Sequence, residues 1–292
     1  MRSLPVVRVL VAASLLAVVA ACSPDDGTTA APATPSTSAS VDACATSQLH
    51  LVTSGQLTIG TDKPAYEPWF SANNPANGQG FESAVAYAVA DKLGFARNQV
   101  VWSTVPFNSS YAPGRKKFDF DINQISITPQ RERAVDFSDA YYQVSQAVVA
   151  LSTSSIVSAT SIADLKNAKL GAQVGTTSLT AIKTVVRPSK QPAVFNDTND
   201  AKAALQNKQV DGIVVDLPTA FYLTAAEITG SKIVGQFPAS GTPEEFGLLF
   251  QKGNTLVPCV NKALADLKSD GDLAKIQKQW LSSAAGAPDL SQ

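Results

Sequence analysis

Residues Asp121–Tyr142, DINQISITPQRERAVDFSDAYY, constrain this chain more than any other stretch. Asp121–Thr128 alternates side-chain types as a strand does, with Ile122, Ile125 and Ile127 as the apolar set and a break at Asn123-Gln124. The pattern predicts a strand over Asp119–Thr128. Pro129 ends it, because proline has no N–H to give to a ladder and fixes its own φ. Arg131, Glu132 and Arg133 follow at once. A strand that finishes in hydroxyl and amide side chains, with an arginine a few residues on, can cradle an anion. The Ser126 and Thr128 hydroxyls and the turn amides donate hydrogen bonds, and a guanidinium fork grips a carboxylate with two parallel bonds. The same letters also fit a surface turn with solvated arginines, and only the rest of the chain separates the two readings.

Around this stretch, strand and helix patterns alternate. Leu57–Gly60 reads as a strand leading into Thr61–Phe70, TDKPAYEPWF, a stiff loop with aromatic faces to offer. Phe81, Val85, Ala88, Val89 and Leu93 recur at helical spacing until Gly94. Val100–Val105 and Gln143–Leu151 read as strands, and Phe107 follows the first of them. Ser161 with Asp164 resembles a capping box for a further helix. Leu170–Val174 is a strand, and Gly175-Thr176-Thr177-Ser178 leads into a helix over Leu179–Val186, bringing free N–H groups, a helix dipole and hydroxyls to one point. Val194–Phe195 reads as a short strand and Asp200–Asn207 as a helix. Val210–Val215 is a strand that delivers Asp216 at its carboxyl end, where the carboxylate either faces a ligand or caps the helix starting near Pro218. Lys232–Val234 and Glu245–Gln251 are strands, and two helices, Leu256–Ser269 and Asp272–Leu281, follow. The alternation predicts α/β layers with sites at strand carboxyl ends.

A chain of 292 residues with 45% hydrophobic content is long enough for two lobes. Its N-terminus reads as an address. Arg2 and Arg8 precede an apolar run, Val9–Ala21, too short to span a bilayer but suited to a signal-peptide core, so 1–21 is read as removed. Val19-Ala20-Ala21-Cys22 resembles a bacterial lipobox, which implies cleavage before Cys22 and lipidation of that cysteine; ordinary secretion is the alternative. In Ser23–Ala43, 16 of 21 residues are Ser, Thr, Ala or Pro, so 22–43 is expected to be a flexible tether. Without 1–21 there are 21 basic and 24 acidic residues, no footprint for nucleic acid. In an oxidising compartment Cys44 and Cys259 are expected to form a disulfide pinning the start of the folded domain to its last helices, two buried thiols being the alternative. No His/Cys cluster suggests a metal.

Arg131 with Ser126, the Thr177 turn and the carboxylate of Asp216 share one ligand logic, that of an α-amino-acid zwitterion. Here the chain resembles a family, the extracytoplasmic solute-binding proteins of polar amino-acid ABC importers. The resemblance covers roughly Leu49–Leu281 and rests on LTIGTDKPAYEPWF, GFESAVAYAVADKLGF, FDFDINQISITPQRERAVDFSDAYY, LGAQVGTTS, VDGIVVD and DGDLAKIQKQWL in that order. It implies a two-lobed periplasmic binding protein type 2 fold with a hinge, lobe 1 being 44–148 plus 242–285 and lobe 2 being 149–241, followed by a tail at 286–292. It implies that Arg131 binds the α-carboxylate, that Ser126, Thr177 and Asp216 complete the zwitterion site, and that Tyr66 and Phe107 cover the ligand. Asp62 stands where the family often has a pocket carboxylate. It further implies a non-enzymatic monomer without cofactor, anchored outside the membrane through lipid, whose partners are an amino acid and ABC permease subunits.

Three departures bear on the ligand's side chain. Asn123 and Gln124 replace small residues, so Gln124 is a candidate pocket residue. The first loop is one residue longer, which leaves Trp69 as an alternative to Tyr66, and Gly80-Phe81-Glu82 lacks the second acid of the family's pattern. Two rival functions stay open at this level. A cyclohexadienyl dehydratase-like lyase on the same fold needs a placed acid or base, for which Glu67 and Glu82 are candidates and the sole histidine, His50, lies at the domain edge. A ligand-sensing ectodomain needs a separate signalling partner.

Overall fold

A computed structural model describes residues 43–238, 242–281 and 286–292. Short apolar strands and amphipathic helices alternate along it, and two five-stranded mixed sheets result. The expectation for Cys22, with the signal peptide, falls outside the described residues.

The first half of the chain builds β1 (Leu57–Thr61), α1 (Phe81–Lys92), β2 (Val100–Thr104), α2 (Phe107–Ser110), β3 (Phe120–Asp121), α3 (Pro129–Glu132) and β4 (Val135–Val144). Then follow β5 (Gln146–Leu151), β6 (Leu170–Gln173), α4 (Thr177–Ala181), β7 (Ala193–Phe195), α5 (Thr198–Gln206), β8 (Gly212–Asp216), α6 (Leu217–Tyr222) and β9 (Ser231–Gln236). The chain closes with β10 (Glu244–Gln251), α7 (Val257–Ser269) and α8 (Asp272–Leu281).

One sheet has the order β2-β1-β3-β10-β4 and the other β7-β6-β8-β5-β9. In the first, β1 runs parallel to β2 and β3, while β10 inserts antiparallel between β3 and β4. In the second, β6 is parallel to β7 and β8, and β5 is antiparallel to β8 and β9. Each sheet is covered by its own apolar clusters, the mark of a two-lobed α/β protein. Lobe 1 packs Leu57, Ile59 and Phe120 against Phe81, Val85 and Val89 of α1 and Val260 and Leu264 of α7. In lobe 2, β5 sends Val148 and Ala150 to one face and Ala147 and Val149 to the other, each into a separate cluster. Burying each such large aliphatic side chain stabilises the fold by about 1.5–3 kcal/mol. Cys44 and Cys259 form a disulfide that fixes the start of the domain to α7.

The structure revises several local expectations. The strand expected over Asp119–Thr128 is a ladder only at Phe120–Asp121. Gln124, at φ 49°, turns the backbone out of the extended region, so Ile122 and Ile125 stay buried outside any regular ladder, tied to the sheet by single backbone bonds to Gly60 and Gly247. Ser126 rejoins through an isolated bridge to Phe246. Thr128 then caps α3, its Oγ1 accepting from the Arg131 N–H at 3.2 Å. The strand expected over Gln143–Leu151 is two strands, β4 and β5, divided at Ser145 between the sheets, so an inter-lobe division at 148/149 falls inside β5. The helix after Ser161 is a single 3-10 turn, and the one expected over Leu179–Val186 starts at Thr177 and ends in a wide π turn. Residues 286–292 return to lobe 2, where Leu290 is buried and its N–H donates to the Gln236 carbonyl at 2.9 Å. Among the described residues no helix is long and apolar enough to cross a membrane.

Candidate functional site

The parallel strands of both sheets deliver their carboxyl ends to one place, the usual position of a site in open α/β sheets. Asp62 follows β1, residues 122–128 follow β3, Gly175–Thr177 follow β6, and Asp216 ends β8. Asp62, Tyr66, Phe107, Gln124, Thr177 and Asp216 all line a single cavity of about 50 Å³, with Asn123, Thr198 and Thr219. Six of the nine residues singled out as ligand-binding in the sequence therefore converge on it.

The other three lie next to it or behind it. Ser126 is buried, with its Oγ 3.3 Å from the Thr177 Oγ1, so a lobe 1 hydroxyl meets a lobe 2 hydroxyl. Arg131 is 7% exposed and lines the adjoining opening, which shares Thr177 with the cavity. Its guanidinium donates to the Ser126 carbonyl at 2.7 Å and, across the lobes, to the Gly175 carbonyl at 3.0 Å. The rings of Phe107 and Tyr111, packed edge to face on each other, sit 5.4 and 4.7 Å from its central carbon, within cation–π range. Burial pulls its pKa down. Trp69, considered alongside Tyr66, is fully buried in the lobe 1 core against Phe81, Tyr142 and Phe246, and its Nε1 donates to Thr219 Oγ1 at 2.9 Å. Tyr66 is thus the aromatic residue of that loop on the cavity wall, and burial pushes its hydroxyl's pKa up.

Asp216 occupies the cap position of α6 but makes no side-chain cap bond. Its Oδ1 instead accepts from the Gln146 Nε2 at 2.6 Å, and the same Nε2 reaches both carboxylate oxygens of Glu244 at 3.1 and 3.3 Å. Glu244 in turn accepts from the Ser126 hydroxyl at 2.6 Å, and Gln146 Oε1 accepts from the Ser178 hydroxyl at 2.5 Å. Burial, followed by the nearby Glu244 charge, pushes the Asp216 pKa up to about 8, against the pull of the Gln146 hydrogen bond. A cation placed beside such a group favours its charged form and draws the pKa back down. Asp62 is raised too, chiefly by burial, although its Oδ1 and Oδ2 accept the Lys63 and Phe107 N–H groups at 2.6 and 3.1 Å. Glu82, fully buried in the first turn of α1, is pushed by burial to about 7.

Gln146, Glu244, Glu82 and Tyr111 were not singled out as ligand groups in the sequence. Gln146 and Glu244 each stand as a polar residue at the head of an apolar strand, QAVVAL and EEFGLLFQ, which is the one signal they carry. Glu82 enters from the sequence only as a candidate acid for lyase chemistry and as the acid of the Gly80-Phe81-Glu82 pattern. His50 is exposed, and no cluster of His, Cys, Asp and Glu among the described residues has the makings of a metal site.

The chain that carries this arrangement, with cationic and hydroxyl donors from one lobe facing a hydroxyl and a carboxylate from the other across a small polar cavity, has clear relatives in sequence and fold. Residues 57–283 match the family described as bacterial extracellular solute-binding proteins, family 3. The arginine-binding extracellular protein ArtP of Bacillus subtilis is 28% identical over 232 residues, 77% of this chain and 86% of that protein. The L-cystine-binding protein TcyA of the same organism is 31% identical over 230 residues, covering 77% and 81%. A solved ancestral arginine-binding protein bound to arginine is 34% identical with a TM-score of 0.66, and 77% of this chain covers 98% of it. Sequence and fold agree, and the chain belongs to the bacterial extracellular solute-binding proteins of family 3.

Proposed function

We propose that the chain binds a polar amino acid between its lobes, outside the cell membrane, and passes it to the permease of an ABC importer. The observation that carries this reading is the meeting of Ser126 and Thr177 hydroxyls from opposite lobes at 3.3 Å beside a cavity that ends in the carboxylate of Asp216. In this reading Arg131, Ser126 and Thr177 hold the α-carboxylate, Asp216 holds the α-ammonium, and Tyr66 and Phe107 cover the apolar part. A zwitterion touching both lobes has higher affinity for the closed form than for the open one, and that difference is what closes the hinge. The closed form then docks, as a monomer, on the permease. Export by residues 1–21, lipidation at Cys22 and a tether over 22–43 keep the domain at the membrane surface.

The test is differential scanning fluorimetry against the twenty amino acids. A true ligand at 100 times its Kd adds about 2.7 kcal/mol of stability. The Arg131→Ala variant is expected to lose most of that shift, because a carboxylate left without its guanidinium loses its strongest charge-assisted bonds. No melting shift with any amino acid would overturn the reading.

A further inference from the structure

Glu82 and Gln124 form a locked pair on the cavity wall. Glu82 Oε1 accepts the Gln124 backbone N–H at 2.6 Å and the Tyr141 hydroxyl at 2.5 Å, and Oε2 accepts the Gln124 side-chain Nε2. Three donors converging on one fully buried carboxylate is the arrangement that suits the ionised group. Above its pKa of about 7 the Glu82 carboxylate accepts and does not donate, so at pH 8 the Gln124 amide cannot be turned over without setting oxygen against oxygen. Nε2 is committed to Glu82, and Oε1 is the atom Gln124 has left to offer. The bond to the Gln124 N–H also holds that residue at φ 49°, on the wall of the cavity. Asp62, on the same wall, is likewise an acceptor with lone pairs beyond those used by the Lys63 and Phe107 N–H groups. The Asp197 charge adds to the negative field at Tyr66.

We infer that this wall selects amino acids whose side chain ends in N–H donors, namely a guanidinium, an ammonium or a carboxamide, and rejects side-chain carboxylates, with Glu82 as the positioning residue that fixes Gln124 as an acceptor. The inference rests on the amino-acid-binding reading above and adds the ligand's side-chain chemistry to it. Glutamine and glutamate differ only in the group presented to this wall. The second places an acceptor, and a like charge, against Gln124 Oε1 and Asp62. A site built to receive N–H donors discriminates strongly against an analogue that lacks them, because its buried acceptors stay unpaired.

Isothermal titration of the full chain at pH 8 with arginine, lysine, glutamine, asparagine, glutamate and aspartate tests this. The tightest ligand is expected to be donor-headed, with glutamate and aspartate at least about 100-fold weaker. Glutamate or aspartate binding as tightly as the best donor-headed ligand overturns the inference and leaves the amino-acid-binding reading standing. Binding of none of the twenty amino acids overturns both. In Glu82→Gln the neighbouring side chain both donates and accepts, so the Gln124 amide is free to turn. The ratio of donor-headed to carboxylate ligand is then expected to fall at least tenfold, and an unchanged ratio in the folded variant refutes the positioning role. Should Glu82→Gln fail to fold, Gln124→Met removes the acceptor while keeping the shape. A loss of at least tenfold in affinity for the donor-headed ligand is expected there, and no loss refutes the assignment.

Discussion

Asp216 is the residue on which the chemistry of the cavity turns. Burial and the Glu244 charge push its pKa up from the ordinary 3.8 to about 8 in the folded protein. The folded state therefore binds more protons than the unfolded one between those limits, and the unliganded protein loses this contribution to stability as pH rises through that window. An ammonium placed beside Asp216 favours its charged form, so ligand binding expels the proton. Affinity for the amino acid is expected to rise from pH 5.5 to pH 8, and calorimetry at pH 7 in buffers of different ionisation enthalpy is expected to show proton release; its absence would remove Asp216 from the ammonium site. Asp216→Asn is expected to weaken binding by about 2–3 kcal/mol, since truncating one side of a buried charge pair costs that much, and to flatten the pH dependence. Asp216, Ser126 and Thr177 were legible in the sequence because each stands near the end of a recognisable strand or the start of a helix. Gln146, Glu244 and Glu82 were not, because their partners lie 70, 118 and 42 residues away and nothing local marks the meeting.

At the scale of elements, the reading succeeded where a repeat of period 2 or 3.6 decides the structure and failed where a single backbone turn does. β1, β2, α1 and the two closing helices stand where their apolar spacing puts them. The segment 122–128 keeps Ile122 and Ile125 buried and Ile127 half-buried, yet turns out of the extended region at Gln124, whose N–H is held by Glu82 from 42 residues away. A similar dependence holds at the start of α1. Gly80, at φ 93°, has the Trp69 carbonyl and the Phe70 backbone within 2.5–2.7 Å of where a Cβ would stand. Those are backbone atoms that cannot swing aside, and the aromatic loop they belong to carries both Tyr66 and Trp69. Gly80→Ala is expected to destabilise the protein by about 3 kcal/mol, combining strain with steric displacement, as read from urea unfolding. A loss under about 1 kcal/mol would mean that the loop shifts freely and does not brace the cavity wall.

At the scale of the molecule, two sheets are joined by strands that pass from one to the other, and the division is set by which strands pair. Sequence alternation announced α/β layers but not the crossing at Ser145, because the turn between β4 and β5 has no glycine or proline to mark it. The Cys44–Cys259 bond closes a loop of 215 residues around nearly the whole fold. By the chain-entropy relation such a closure stabilises by about 5–5.5 kcal/mol. Reduction, or replacement of both cysteines by serine, is expected to lower the melting temperature by about 10 °C while leaving the ligand affinity of the folded protein unchanged. A drop of less than about 3 °C would show that α7 holds the start of the domain without it.

The last seven residues follow α8, whose Ile276 and Trp280 pack on the lobe 1 core, yet they lie along β9, with the Gln236 N–H donating to Pro288 and the Ile162 N–H to Ser291. A fluorophore placed at Gln292 would thus ride with one jaw, and a second at His50, beside Leu49 and Leu51 in the other core, with its opposite. Energy transfer between the two dyes would report the gape of the cleft in real time, without altering any side chain that lines it.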